Sequence, residues 1–300
     1  MKMLREHLCA LAAVVLFGLM SPASKYALSS GLLDGLALGV LRLWGAAAAF
    51  TLLALATGAL PRIGKGDRAS VVGMALSGMV FNQCLYVTGI QFTSPVNACV
   101  IGSVTPVAVL VLSCLFLGAR LAFRTVAGVG LALAGALTLV LGSAATGGRA
   151  GSPFGDLLCV LSQTSAACYF VFFGRTIRRY PPVGLLAWVF LAASALVSPL
   201  AVWKANLLAA AFSDPSVACA VAYVVFGGTF AAYLFLIVAQ RRLEPAVVAT
   251  YNYVQPVVAA AAGLALSLEL LTWQKCLAGV LIACGVWLVT HSGGHSPSLP

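Results

Sequence analysis

Two similar stretches, each with a proline inside an apolar run, decide the fold of this chain. The first reads Asn97-Ala-Cys-Val-Ile-Gly-Ser-Val-Thr-Pro106, and the second reads Val247-Val-Ala-Thr-Tyr-Asn-Tyr-Val-Gln-Pro256. Pro106 and Pro256 are 150 positions apart. Proline removes a helical hydrogen bond and kinks the helix, which a membrane span tolerates where a neighbour or a cavity satisfies the freed carbonyl. The pair predicts an internal repeat with a kinked helix in each copy, a pattern that points to transporter binding sites.

The composition of the chain is that of a membrane protein. Of its 300 residues, 62% are hydrophobic and only 8% are charged, whereas a soluble domain has about 25% charged residues. Its apolar runs reach the roughly 20 residues that a helix needs to cross a bilayer. Although the net charge is +10, the basic residues lie in short connections between these runs. That placement is typical of topology control and not of a nucleic-acid-binding face.

The apolar runs predict an all-α polytopic membrane protein with ten transmembrane helices. Each copy of the repeat has five spans, which is an odd number. The second copy therefore enters the membrane inverted relative to the first, as in many secondary transporters. We expect the first five-helix repeat over residues 1–145 and the inverted repeat over 154–291. The runs are 8–28, 36–58, 70–90, 97–118, 125–142, 155–174, 183–203, 215–239, 246–268 and 275–291.

The loop charges predict that both ends of the chain are cytoplasmic. With alternating spans, twelve Lys and Arg residues fall in inner segments and three, Arg149, Lys204 and Lys275, in outer ones, as the positive-inside rule requires. We therefore expect a multi-pass protein of the bacterial cytoplasmic (inner) membrane, with the lipid bilayer as its surroundings. The basic N-terminus before an apolar run is also compatible with a signal peptide, but the matching span at 155–174 favours a retained first helix.

Two segments resemble the closing motif of EamA-type transporters, a group within the drug/metabolite transporter superfamily. The second-half copy runs from Pro256 through Glu269 to Gly285, and the first-half copy runs from Pro106 onward. At the position where the family has a Glu, the second-half copy has Glu269 and the first-half copy has Ala119. The resemblance implies a ten-helix fold with a central cavity lined by helices 1, 3, 4, 6, 8 and 9. It also implies movement of small metabolites, often export, without ATP.

Polar side chains within the spans are the candidate substrate-binding residues, because such groups are costly in lipid and usually face the bundle interior or a cavity. The alternative is that they form hydrogen bonds between helices, which is the favoured role for threonines such as Thr105. Several lie one turn apart and so share a helix face. With the kinks at Pro106 and Pro256, the predicted site residues are Asn82, Gln83, Tyr86, Asn97, Thr105, Gln163, Tyr169, Tyr233, Tyr251, Asn252 and Gln255.

Two basic residues lie within the predicted spans, Lys25 near the outer end of helix 1 and Arg42 in helix 2. For both, extension of the charged group to the membrane surface is the favoured role. The alternative for Lys25 is a position at the outer mouth of the cavity, where it would attract anionic or zwitterionic substrates. No Asp or Glu lies near the centre of a span, which argues against a carboxylate-coupled cation antiporter.

The sequence favours a secondary transporter or facilitator that moves a small organic metabolite by alternating access. We expect export of an amino-acid-like or other apolar or amphipathic solute. A membrane-embedded enzyme would need a catalytic constellation inside the spans, but the histidines, His7, His291 and His295, lie near the ends of the chain. A receptor or scaffold is the remaining alternative. The nine cysteines show no CxxC spacing, so we expect no metal site and no cofactor; homodimerisation is left open.

Overall fold

The described part of the chain consists of helices and their connections. The computed structural model describes residues 4–92, 98, 101–102, 104–118, 123–145 and 153–265, with single positions between 273 and 288. Asn97 and most of the predicted tenth span, 275–291, lie outside the described residues. The main helices are α1 (Leu4–Ser29), α2 (Gly35–Ala56), α3 (Lys65–Phe92), α4 (Val104–Leu117), α5 (Phe123–Ala145), α6 (Pro153–Phe172), α7 (Pro182–Trp203), α8 (Pro215–Gln240) and α9. The last comprises Pro245–Thr250, a 3-10 turn Tyr251–Tyr253 and Val254–Ala265. Two short helices, Gly174–Arg179 and Ala205–Ala210, follow α6 and α7.

Five of these helices, α1, α2, α3, α7 and α8, are long and apolar enough to cross a membrane. Shorter apolar helices lie at Thr105–Phe116, Phe123–Gly135 and Leu157–Phe172. Large apolar side chains such as Leu52 and Val202 are exposed on the outside of the bundle, where a bilayer would cover them. The protein is therefore an integral membrane protein, as the composition predicted.

Local signals explain where several helices begin. Asp34 accepts a hydrogen bond from the backbone N–H of Ala37 (2.8 Å) and caps the start of α2, which satisfies a donor that the first turn leaves unpaired. Asp214 does the same for α8 by accepting from Ser216 N at 2.8 Å. The hydrogen bonds from the Ser216 side chain and backbone lower the pKa of Asp214. Helices α7, α8 and α9 have proline in their first turn, where its missing N–H costs nothing.

Ion pairs close the two ends of the bundle. Each joins residues at helix ends or in connections that the alternation of spans assigns to the same side of the membrane. Glu6 is buried, and the other partners are partly or largely exposed. Ion pairs near the surface contribute little to stability individually, but they show which helix ends and connections meet. The pairs are Asp67 with Arg179 (2.9 Å) and Glu6 with Arg242 (3.6 Å) at the end that holds the N-terminus, and Asp34 with Lys204 at the other end.

Helices α3 and α8 each contain a π-helical segment, Ala75–Cys84 and Tyr223–Ala231, which the sequence did not lead us to expect. Gly78 and Gly228 lie in these segments, and they are 150 positions apart, the same offset as the prolines. Each lets another helix approach: Gly78 lies against Tyr169 of α6, and Gly228 against Met20 of α1. π-Helical turns inside α-helices are frequent at functional sites, and these two lie beside the pocket described below.

Arg42 is buried, and the expectation that it extends to the membrane surface is wrong. It is the eighth residue of α2, about 10 Å along the helix at a rise of 1.5 Å per residue, and only 2% of it is exposed. Close packing holds α2 on both sides. A Cβ added at Gly39 would lie 3.1 Å from Cys84 Sγ of α3, and one added at Gly45 would lie 2.4 Å from Val225 Cγ1 of α8. The Arg42 side chain therefore points into the bundle.

Candidate functional site

A pocket lies in the interior of the bundle between α1, α2, α3, α6, α8 and α9. The cavity has a volume of about 80 Å³. Residues from before and after the junction at 145–153 line it, so both halves of the chain contribute. The predicted site residues that line it are Asn82, Gln83, Tyr86, Gln163, Tyr169, Tyr233, Asn252 and Gln255.

Asn82 connects three helices at the pocket wall. Its amide nitrogen donates to the backbone oxygen of Ser162 in α6 (3.1 Å), and the Ser162 hydroxyl donates back to the Asn82 backbone oxygen at 2.7 Å. The Tyr233 hydroxyl of α8 lies 3.0 Å from Gly78 O and 3.3 Å from Asn82 Oδ1. The two roles considered for Asn82 are thus both observed, because it lines the pocket and forms hydrogen bonds between helices.

Gln163 also combines a position in the pocket wall with an interhelical hydrogen bond. The hydroxyl of Thr105 in α4 is fully buried and donates to Gln163 Oε1 at 2.6 Å. Thr105 itself does not line the pocket. This is the interhelical role that the sequence favoured for Thr105. The buried Pro106 follows it in α4.

The part of α9 before Pro256 is not a regular α-helix. The 3-10 turn Tyr251–Tyr253 separates its two α-helical segments. Pro256 cannot donate to the carbonyl of the residue four positions earlier, which is Asn252 within this turn. Asn252 and Gln255 line the pocket and pair with each other, with Gln255 Nε2 donating to Asn252 Oδ1 at 3.1 Å.

The pocket lining that the structure describes includes neither Tyr251, a predicted site residue, nor Lys25, the candidate for the outer mouth. The hydroxyl of Tyr251 is 2.8 Å from Nδ1 of His7 and joins α9 to the start of α1. Lys25 Nζ donates to the backbone oxygen of Ile90 at 2.9 Å, which connects the last turns of α1 and α3. Lys25 is thus near the end of the bundle opposite the N-terminus.

Aromatic rings form much of the apolar wall. Phe17 of α1 meets the Tyr233 ring edge to face at a centroid distance of 5.4 Å. Tyr169 and Phe170 of α6 are similarly T-shaped at 5.9 Å. Edge-to-face contacts of this kind favour one ring arrangement over others. The pocket therefore combines a rigid aromatic surface with several amide groups.

Arg42 brings a positive charge into the pocket lining. Its Nε donates to the Thr229 hydroxyl oxygen at 3.0 Å, and that hydroxyl donates to Val224 O at 2.7 Å. Thr229 lies in the π-helical segment of α8 and is fully buried. The family resemblance implied a lining from helix 4 and not from helix 2. Among the described residues, α2 contributes through Arg42, and α4 reaches the pocket only through the bond from Thr105 to Gln163.

Several lining residues were not predicted: Phe17, Met20, Arg42, Gly78, Ala166, Phe170 and Leu236. The apolar members give no sequence signal, because every span is rich in such residues. Gly78 does have a sequence signal, since Gly228 stands 150 positions later. Arg42 also has a sequence signal, because a cation eight residues into a span is unusual.

Comparisons with known proteins agree with this architecture. The model of the EamA-like transporter family matches residues 4–141 and 153–291. YedA of Escherichia coli K12, described as an uncharacterized inner membrane transporter, is 31% identical over 236 residues, which are 77% of this chain and 73% of YedA. A protein of Archaeoglobus fulgidus described as an uncharacterized transporter is 26% identical over 278 residues, 93% of this chain and 96% of that protein.

A solved crystal structure shares the fold. It superposes with a TM-score of 0.75 over 96% of both chains at 19% sequence identity, so the likeness concerns the fold alone. The family match covers both halves of the sequence and nearly all of its length. The chain therefore belongs to the EamA-like transporter family.

Proposed function

We propose that the protein is a secondary transporter or facilitator that moves a small organic solute across the cytoplasmic membrane by alternating access. In this proposal ten helices form two inverted halves, residues 1–145 and 154–291, with both chain ends in the cytoplasm. Membership of a transporter family supports this function over an enzyme or a scaffold. The offset of 150 residues between paired prolines and between paired glycines supports the repeat.

The observation that carries the proposal is the position of the pocket. It lies inside a membrane-embedded bundle, and its walls come from both halves of the chain. In transporters with inverted repeats the substrate binds at the interface of the repeats, and rocking of one half against the other exposes it to each side. A pocket between α1, α2 and α3 on one side and α6, α8 and α9 on the other fits that mechanism.

The irregular helices give such a movement places to bend. The 3-10 turn Tyr251–Tyr253 interrupts α9, and the π-helical segments interrupt α3 and α8. All three lie at or next to residues that line the pocket. Backbone carbonyls freed by such breaks are tolerated at membrane depth only where protein or a water-filled cavity satisfies them. The lining itself, aromatic rings with Asn and Gln amides, suits an amphipathic solute, and export is the direction we propose.

Solute counterflow in proteoliposomes tests this function. Purified protein is reconstituted with a millimolar internal pool of L-leucine, L-phenylalanine, 3-phenylpropanoate or adenine, and entry of the same labelled compound is followed. We expect saturable, protein-dependent entry of at least one compound. Gln255→Ala should reduce entry, whereas Thr164→Val, a change on the exposed surface of α6, should not. If a compound binds the purified protein and yet no compound enters, the proposed function is wrong.

A further inference from the structure

We propose that Arg42 binds a carboxylate of the substrate, so that the transported solute is a monoanionic or zwitterionic acid with an apolar body. This inference rests on the proposed function, because it assigns a role within the same pocket. It concerns a residue of α2, a helix that the family resemblance did not place at the cavity.

Arg42 carries a positive charge in a buried position. A guanidinium stays protonated in proteins, and a buried charge is costly unless a partner of opposite sign is present. Arg42 is 2% exposed, and the ion pairs among the described residues do not include it. The part of the pocket lining that the structure describes contains no Asp or Glu. The described protein thus carries a buried positive charge without a carboxylate beside it.

Arg42 also has a hydrogen-bond donor without a partner among the described residues. Nε is occupied by Thr229, but Nη1 is buried and has no hydrogen-bond partner among the described residues. A buried donor without a partner is rare in native proteins. Guanidinium groups bind carboxylates in a planar geometry with two parallel hydrogen bonds. A substrate carboxylate in the pocket would satisfy both the charge and the open donor.

Gln83 adds a second open group to the same pocket. It is 1% exposed, its Nε2 lies 3.3 Å from the Met79 sulfur, and its Oε1 is buried without a partner among the described residues. This oxygen accepts from an N–H or O–H. An α-amino acid or a hydroxy acid carries such a donor next to its carboxylate. The apolar part of that substrate would then contact the rings of Phe17 and Phe170.

The single cation also limits the charge of the ligand. Among the described residues that line the pocket, Arg42 is the only Lys, Arg or His. A phosphate monoester carries nearly two negative charges at neutral pH and would leave one of them uncompensated. One guanidinium matches one carboxylate, so the pocket favours monoacids over phosphorylated compounds.

A structural role for Arg42, as a tie between α2 and α8, makes a different prediction. If the bond to Thr229 were its whole purpose, Thr229→Val and Arg42→Gln would both lower the melting temperature, and neither would change which ligands bind. If Arg42 binds a carboxylate, Thr229→Val keeps the preference for acids, whereas Arg42→Gln loses it. Arg42→Lys keeps the charge without the planar fork and should bind acids with intermediate affinity.

The test uses matched acid and amide pairs on protein in detergent. Melting temperatures are measured against concentration for L-leucine and L-leucinamide, lactate and lactamide, and 3-phenylpropanoate and 3-phenylpropanamide, at constant ionic strength. We expect at least one acid to stabilise the wild type while its amide does not. In Arg42→Gln the affinity for that acid should fall roughly 10- to 100-fold, the loss expected for hydrogen bonds to a charged group.

Two results on the wild type would overturn the assignment of Arg42: amides that stabilise it as well as their acids do, or no stabilisation by any acid. An unchanged acid preference in Arg42→Gln would do the same. If Arg42→Gln fails to fold, the comparison within the wild type and the Arg42→Lys titration still decide. If acids bind the protein but do not enter proteoliposomes, the proposed transport function is wrong and the assignment of Arg42 still holds. If only amides enter proteoliposomes, the transport function stands and the assignment of Arg42 is wrong.

Discussion

Gly78 of α3 lies against the ring of Tyr169 of α6, and a Cβ added at Gly78 would come within 2.4 Å of Tyr169 Cδ2. The tyrosine ring is itself buried and has little room to move. This contact joins the two halves of the chain at the pocket wall. The absence of a side chain at position 78 is therefore a packing requirement.

Gly78→Ala should destabilise the protein, because overpacking in a dense interior costs about 1–3 kcal/mol. The matched control is Gly130→Ala in α5, where an added Cβ meets nothing within 4 Å. There the alanine should be neutral or slightly stabilising, since Gly is the poorer helix former. Melting temperatures in detergent measure both. Equal melting temperatures for the two variants would contradict the close approach of α3 and α6.

Asn252→Ala and Gln255→Ala should each reduce transport while leaving the melting temperature nearly unchanged. Their side chains pair with each other on one helix, so truncation removes no described hydrogen bond between helices. Loss of one hydrogen bond to the substrate should reduce the apparent affinity by several-fold to about tenfold. Counterflow and thermal denaturation are measured on the same preparations. Normal uptake with a lowered melting temperature would remove both residues from the site.

Thr105→Val should lower stability by about 1 kcal/mol, because it removes the hydrogen bond from α4 to Gln163 Oε1 of α6. Thr164→Val is the control, since Thr164 is on the same helix as Gln163, is exposed, and donates only to Val160 O of its own helix at 2.9 Å. We expect the control to change the melting temperature by less than half as much. The comparison separates a bond between α4 and α6 from a general intolerance of valine in these spans.

Reporter fusions test the proposed orientation. The charge bias of the loops predicts a cytoplasmic reporter after Arg179 and after His295, and an external one at Gly147. The ion pair between Asp67 and Arg179 adds that a fusion after Gly66 should read cytoplasmic too. An external signal after Gly66 or Arg179 would contradict the orientation. A matching signal at Gly147 and Arg179 would contradict the number of spans between them.

Local features of the sequence were enough to find the helices and many of the pocket residues. The first nine apolar runs each overlap a helix of the structure, because a span must be apolar along its whole length whatever it packs against. Asn82, Gln163 and Gln255 were identified because a polar side chain in a span needs an interior environment. The paired prolines predicted a kink in α9, and the 3-10 turn Tyr251–Tyr253 interrupts that helix.

The direction of individual side chains required the tertiary structure. Arg42 lies within reach of the membrane surface along its own helix, and only the close packing of α2 on α3 and α8 turns it inward. Tyr251 shares a helix with Asn252 and Gln255, but its hydroxyl meets His7, 244 residues earlier in the chain. Such contacts depend on which faces of distant helices meet, and the period of one helix does not specify them.

The sequence by itself determined that this chain is embedded in a membrane as a bundle of apolar helices, because each span must be apolar to cross the lipid whatever its neighbours are. It also indicated the polar residues that must avoid lipid. Only the tertiary structure decided which of them share one pocket, that α2 supplies a positive charge to it, and that Gly78 and Gly228 bring helices of the two halves together. Those outcomes are set by packing between helices, which depends on pairs of surfaces far apart in the chain.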